Sequence, residues 1–132
     1  MTANLDHVSI NISNARVCFP FYKKLLEFLG YQIVKETANS IGFRREGADI
    51  WLSETENSYK KEGFNRRRTG LNHLAFRVGS QEEVDRFNNE FLRPNGIFTL
   101  YGTPKAFPKY TGKYYAVFFE DPDRVKLEVM TR

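Results

Sequence analysis

Only two histidines occur in this chain, and each sits third in a short apolar run: Leu5-Asp6-His7-Val8 and Leu71-Asn72-His73-Leu74. They stand 66 residues apart in a chain of 132. Other residues repeat at the same offset: Phe21 with Phe87, Leu26 with Leu92, Gly30 with Gly96, and Leu25 answered by Phe91. Neutral imidazoles are the commonest protein ligands for transition metals. A backbone plan repeated twice, with its histidines at one repeated place, points to convergence on a metal ion.

The elements that must carry these residues follow from hydrophobic period. Over residues 4–12, Val8, Ile10 and Ile12 alternate with His7, Ser9 and Asn11, which predicts a half-buried strand with His7 on its polar face. Helical spacing of Phe21, Leu25 and Phe28 follows, ending at Gly30, and Pro20 places the regular helix start near Phe19 or Pro20. Strands are expected at 31–37, 40–45 and 48–53. The second half repeats the order. A strand at 71–78 puts His73 in the same face class as His7. The Ser80-x-x-Glu83 capping box opens a helix that closes at Pro94-Asn95-Gly96. Strands at 97–102, 114–120 and 125–130 complete it, with a loop over 103–113. The reading is an α+β chain of two β-α-β-β-β modules in one domain over 1–132. Module one covers about 4–57, a basic connector about 58–69, and module two about 70–131.

In the last strand Val125, Leu127 and Val129 face one way, and Lys126, Glu128 and Met130 the other. A carboxylate held in a packed strand needs a partner, because burying it unpaired is costly. His7, His73 and Glu128 together would form a 2-His-1-carboxylate set with open coordination positions. Ligand type alone allows Fe(II), Mn(II), Zn(II) or Ni(II), and disfavours calcium, which prefers oxygen ligands.

Four segments carry a family resemblance. They are Leu5-Asp6-His7-Val8; residues 21–31, Phe21-Tyr22-Lys23-Lys24-Leu25-Leu26-Glu27-Phe28-Leu29-Gly30-Tyr31; residues 70–78 around His73; and residues 116–129, which include Asp121-Pro122-Asp123-Arg124 and Glu128. In this order they resemble the vicinal oxygen chelate superfamily, which includes glyoxalase I, extradiol dioxygenases, and fosfomycin- and bleomycin-resistance proteins. The resemblance implies paired modules forming a curved eight-stranded cup with helices outside, and metal ligands at His7, His73 and Glu128. It also implies a homodimer. The chain departs from the pattern at three places. The fourth carboxylate ligand of glyoxalase I falls on Trp51, whose indole N–H is donor-only. Arg124 stands where the family's turn usually has Gly. The additional histidine common in extradiol dioxygenases is missing, which leaves Tyr110, Tyr114 or Tyr115 as acid–base candidates, with Tyr115 preferred. Trp51 and Arg77 are expected to line the substrate pocket.

Composition sets the outer bounds. The net charge of +4 is carried by the tract Lys60–Arg68, with five basic residues and one acid, while the rest of the chain is balanced. A single basic tract reads as a solvated connector and not as a nucleic-acid face. No apolar run spans a bilayer, and Asp6, His7 and Asn11 interrupt the N-terminal stretch in a way that a secretory leader would not. The lone Cys18 fits a cytoplasmic protein and a packing role. The expected function is a metal-dependent enzyme acting on a small oxygen-bearing substrate, dioxygenase-like or transferase-like rather than glyoxalase I proper. The alternative is a metal-free drug-binding protein of the bleomycin-resistance type.

Overall fold

The computed structural model describes all 132 residues. They divide into two compact units, Met1–Gly63 and Phe64–Arg132, so the division falls inside the expected connector. The first unit holds β1 (His7–Ile12), α1 (Ala15–Phe28), β2 (Gln32–Glu36), β3 (Ser40–Arg44) and β4 (Asp49–Glu54), followed by a 3₁₀ turn at Asn57–Glu62. The second holds β5 (His73–Arg77), α2 (Gln81–Phe87) continued by a π turn at Asn88–Leu92, β6 (Thr99–Ala106), β7 (Tyr115–Glu120) and β8 (Lys126–Thr131). Each unit has one four-stranded sheet. The orders, β1-β4-β3-β2 and β5-β8-β7-β6, are the same plan twice. The first strand of each unit pairs in parallel with the last, and the other neighbours are antiparallel. The α+β reading and the repeated element order therefore hold.

Helix α1 begins earlier than the sequence suggests. Asn14 caps it, its side chain accepting from the Arg16 N–H at 2.9 Å, and the Ala15 N–H donates to Glu54 Oε1 at 2.9 Å. That bond, with Lys60 at 3.6 Å, holds the Glu54 carboxyl below its ordinary range. Pro20 consequently lies inside the helix. It removes the N–H that would bond the Arg16 carbonyl. Both residues are exposed, so water can serve that carbonyl, and the Asn14 cap outweighs the proline signal. On the opposite face Cys18, Phe19, Tyr22, Leu25 and Leu26 are buried, and each large apolar side chain contributes roughly 1.5–3 kcal/mol.

In the second unit, α2 is capped by Ser80, which accepts from the Glu83 N–H at 3.3 Å, and Glu83 returns a bond to the Gly79 N–H. The helix covers one face of the second sheet, where Phe87 meets Phe91 at 5.2 Å and Phe119 at 5.4 Å. The opposite face gathers a smaller cluster of Ala116, Phe118 and Met130, with Leu100, Phe107 and Tyr114 packed against it. Where a loop over 103–113 is expected, β6 runs through to Ala106 around a large bulge. Thr103 makes this possible: its buried hydroxyl donates to the Leu100 carbonyl at 2.7 Å and accepts from the Phe118 N–H at 3.0 Å.

Two features of the β7–β8 turn follow from sequence. Asp121 Oδ1 accepts from the N–H groups of Asp123 and Val125, both at 2.8 Å. Arg124 adopts φ 66°, the left-handed conformation that the family's Gly would take without penalty. The basic tract is more structural than a solvated connector. Arg66 donates to Glu120 Oε1 at 2.5 Å and to the Arg124 carbonyl at 3.3 Å, clasping this turn. No helix is long and apolar enough to cross a membrane.

Candidate metal and ligand site

The residues expected to do chemistry are displayed by strand parity. In the second sheet, Ala75 pairs with Glu128 and Phe118 with Glu128, so Glu128 lies at the centre of the face that α2 leaves open. Its carboxylate is 1% exposed, and His73, two residues before Ala75, reaches it diagonally: Nε2 stands 3.2 Å from Glu128 Oε2. Tyr114 donates its phenol hydrogen to the other oxygen, Oε1, at 2.5 Å.

The other imidazole nitrogen also has a partner. Nδ1 of His73 lies 2.6 Å from Asn72 Oδ1, an arrangement that suits a hydrogen on Nδ1 and a ligand role for Nε2. In the neutral ring Nε2 is then a lone pair facing a carboxylate oxygen. Nε2 and Oε2 at 3.2 Å are spaced as two donors to a single cation. As a fit for a divalent ion the pair is suitable. Donors about 2.1 Å from one metal stand roughly 3.0–3.4 Å apart at octahedral to tetrahedral angles. An Nδ1–H fixed by an oxygen is also the usual support for a metal-bound histidine.

His7 is presented in the same way in its own unit: its Nδ1 lies 2.7 Å from Asp6 Oδ2. Its strand neighbour two residues on, Ser9, pairs with Trp51, just as Ala75 pairs with Glu128. Trp51 thus occupies the place of a first-unit carboxylate, as the sequence alignment of the two final strands indicates. Its indole lies across Gly42, where an added Cβ would meet three ring carbons at 2.6–2.7 Å. The structure gathers no cluster of three or more His, Cys, Asp or Glu. Of the expected trio, His73 and Glu128 are brought together.

Two of the expected residues meet other partners. Tyr115, preferred as the acid–base tyrosine, points to the helix-covered face, where its hydroxyl donates to Asp85 of α2 at 2.8 Å. Tyr114, one residue earlier and so on the opposite face, holds Glu128 instead. Burial and the adjacent Glu128 carboxylate push the Tyr114 phenol above its ordinary range, so it remains a donor. Arg77 shares the parity of His73, but its guanidinium donates to the backbone carbonyl of Arg132 at 2.8 Å and it does not line the cavity.

That cavity has a volume of about 580 Å³. His73 and Glu128 lie in its wall, and Tyr101, Phe107, Tyr110, Tyr114, Phe118 and Lys126 complete it. This aromatic wall is not evident from the order of residues alone. The signal was the density of rings between Tyr101 and Tyr115, which otherwise resembles a packed sheet edge.

Comparisons with known proteins agree with this plan. The sequence model of the Glyoxalase/Bleomycin resistance protein/Dioxygenase superfamily matches residues 4–129. The uncharacterized protein YqjT of Bacillus subtilis (strain 168) is 30% identical over 126 residues, covering 96% of this chain and 97% of its own. A protein from Bacillus halodurans described as a candidate glyoxalase superposes with a TM-score of 0.87 at 34% identity, covering 97% of this chain and 95% of that one. A glyoxalase/bleomycin resistance protein from Albidiferax ferrireducens T118 shares the fold, with a TM-score of 0.76 at 23% identity, covering 97% of this chain and 98% of that one.

Proposed function

Because the chain belongs to the glyoxalase/bleomycin resistance protein/dioxygenase superfamily, we propose that it is an enzyme acting on a small oxygen-bearing substrate with the help of a divalent metal ion. His73 and Glu128 hold the ion, with His7 as the third protein ligand. Fe(II), Mn(II), Zn(II) and Ni(II) all suit this donor set. The reading favours dioxygenase-like or transferase-like chemistry over glyoxalase I, because Trp51 stands where a fourth carboxylate would be needed. A homodimer in the cytoplasm is part of the same reading.

The observation that carries it is the approach of His73 Nε2 to within 3.2 Å of Glu128 Oε2, a nitrogen and a carboxylate oxygen spaced as two ligands of one divalent ion. A bound divalent ion would polarise a substrate oxygen as a Lewis acid. The chain's own residues do the rest. Asn72 fixes the imidazole tautomer so that Nε2 presents its lone pair. Tyr114 fixes the carboxylate through Oε1 and leaves Oε2 for the metal. The aromatic wall gives one side of the cavity an apolar surface.

A thermal-shift series tests the reading. Protein stripped with a chelator should melt higher on addition of Mn(II), Zn(II) or Ni(II), since a ligand that binds only the folded state stabilises it. The His73→Ala protein should lose that response. A melting temperature insensitive to chelator and to all of these ions would favour the metal-free drug-binding alternative.

A further inference from the structure

The aromatic cavity carries a charge that metal ligation does not use. Lys126, at the start of β8, lines it with its Nζ 5.6 Å from the Phe118 ring centroid and 5.7 Å from that of Tyr101. Its cross-strand neighbour Glu120 is engaged by Arg66 and Arg124. Glu128, two residues along, has its oxygens at His73 and Tyr114. The Lys126 ammonium is therefore held by ring faces and not by a carboxylate. A second ammonium, that of Lys105, lies 5.4 Å from the centroid of the Phe107 ring, another wall of the same cavity.

Backbone strain points to the same place. Tyr101 adopts φ 59°, a left-handed conformation costly for a tyrosine, next to Gly102 at φ 62°. The bulge of β6 imposes it, and the result is a tyrosine ring set edge-on to Phe118 at 5.5 Å. Phe107 and Tyr110 stack at 5.5 Å on another part of the wall. Tyr101 and Tyr110 remain 53% and 64% exposed, so aromatic surface of the wall, including the strained Tyr101, still faces solvent. A flat apolar ligand would recover that surface. The volume suits a small organic molecule.

We propose that this cavity selects an anionic aromatic molecule, with its ring against Tyr101, Phe107 and Phe118 and its negative group on Lys126. A cationic aromatic would face two ammonium groups already seated on the ring faces. A neutral one would leave Lys126 without a counter-ion. The proposal rests on the metal-enzyme reading only in placing the ligand beside His73 and Glu128. Lys126 is its specificity-determining residue.

Benzoate, benzamide and benzamidine have nearly the same shape and carry negative, zero and positive charge. Their binding to the full chain, measured by protein-observed NMR titration, tests the proposal in chelator-stripped and in Zn(II)-loaded protein. In stripped protein benzoate should bind about tenfold more tightly than benzamide, with benzamidine weakest. Lys126→Met should abolish the preference for benzoate and Lys126→Arg should keep it, both at unchanged melting temperature. Equal binding of the three probes, tighter benzamidine, or no saturable benzoate binding overturns the proposal. A preference that appears only with Zn(II) and survives Lys126→Met also overturns it, while leaving the metal reading intact. A preference that depends on Lys126 in a protein that never binds Zn(II) sustains the proposal and removes the metal reading.

Discussion

Trp51 and Glu128 occupy the same register position in the two sheets, Trp51 opposite Ser9 in the first and Glu128 opposite Ala75 in the second. The repeat thus diverges at the one place where symmetry would have supplied a second carboxylate. The indole is accommodated because the residue across from it is Gly42, opposite Trp51 as Phe118 is opposite Glu128.

Gly42 is accordingly a packing requirement. Gly42→Ala places a Cβ into the indole and should destabilise the protein by about 1–3 kcal/mol. Trp51→Leu should absorb much of that cost in the double variant. Chemical denaturation of the four proteins in the cycle checks this, and additive effects would show that the contact does not govern either site.

Arg124 bears the backbone strain that a glycine would relieve. Arg124→Gly should raise stability by about 1 kcal/mol, read as a higher melting temperature, because the side chain is largely exposed and its contact to Glu120 is long at 3.6 Å. A lower melting temperature would mean that the Arg124 side chain contributes more to the turn than its strain costs.

The two adjacent tyrosines should separate stability from ligand chemistry. Tyr115→Phe removes the bond to Asp85 and should cost about 1 kcal/mol with no change in metal affinity. Burial first, and then Asp85, raise the Tyr115 phenol above its ordinary 10.0. A raised acid stabilises the fold fully below its unfolded value and loses that contribution as pH climbs through the folded one. The gap between wild type and Tyr115→Phe should therefore be constant from about pH 7 to 9 and shrink above about pH 10. Tyr114→Phe should instead weaken metal binding by about tenfold, through a less well oriented Glu128. Denaturation at several pH values and calorimetric metal titration read the two effects.

Much of this was legible because it is local or periodic. The repeated histidines, the alternation that puts Glu128 on the face of His73, and the Asp121-Pro122-Asp123-Arg124 turn all follow from short-range patterns. Three features were not. The start of α1 depends on Asn14 and on Glu54, 39 residues from the Ala15 it binds, which together override Pro20. Choosing between Tyr114 and Tyr115 needs the phase of β7 to a single residue, and one step reverses the face. The cavity wall depends on the bulge of β6, where Pro104 reads as a loop residue although Thr103 ties the strand back to β7.

Calorimetric titration of chelator-stripped protein with Mn(II) or Zn(II), for the wild type and for His7→Ala, His73→Ala and Glu128→Gln, tests the metal site most directly. The account predicts one ion per chain in the wild type, with affinity falling at least about a hundredfold in His73→Ala and Glu128→Gln and clearly in His7→Ala. Undiminished stoichiometric binding in His73→Ala or Glu128→Gln would contradict it.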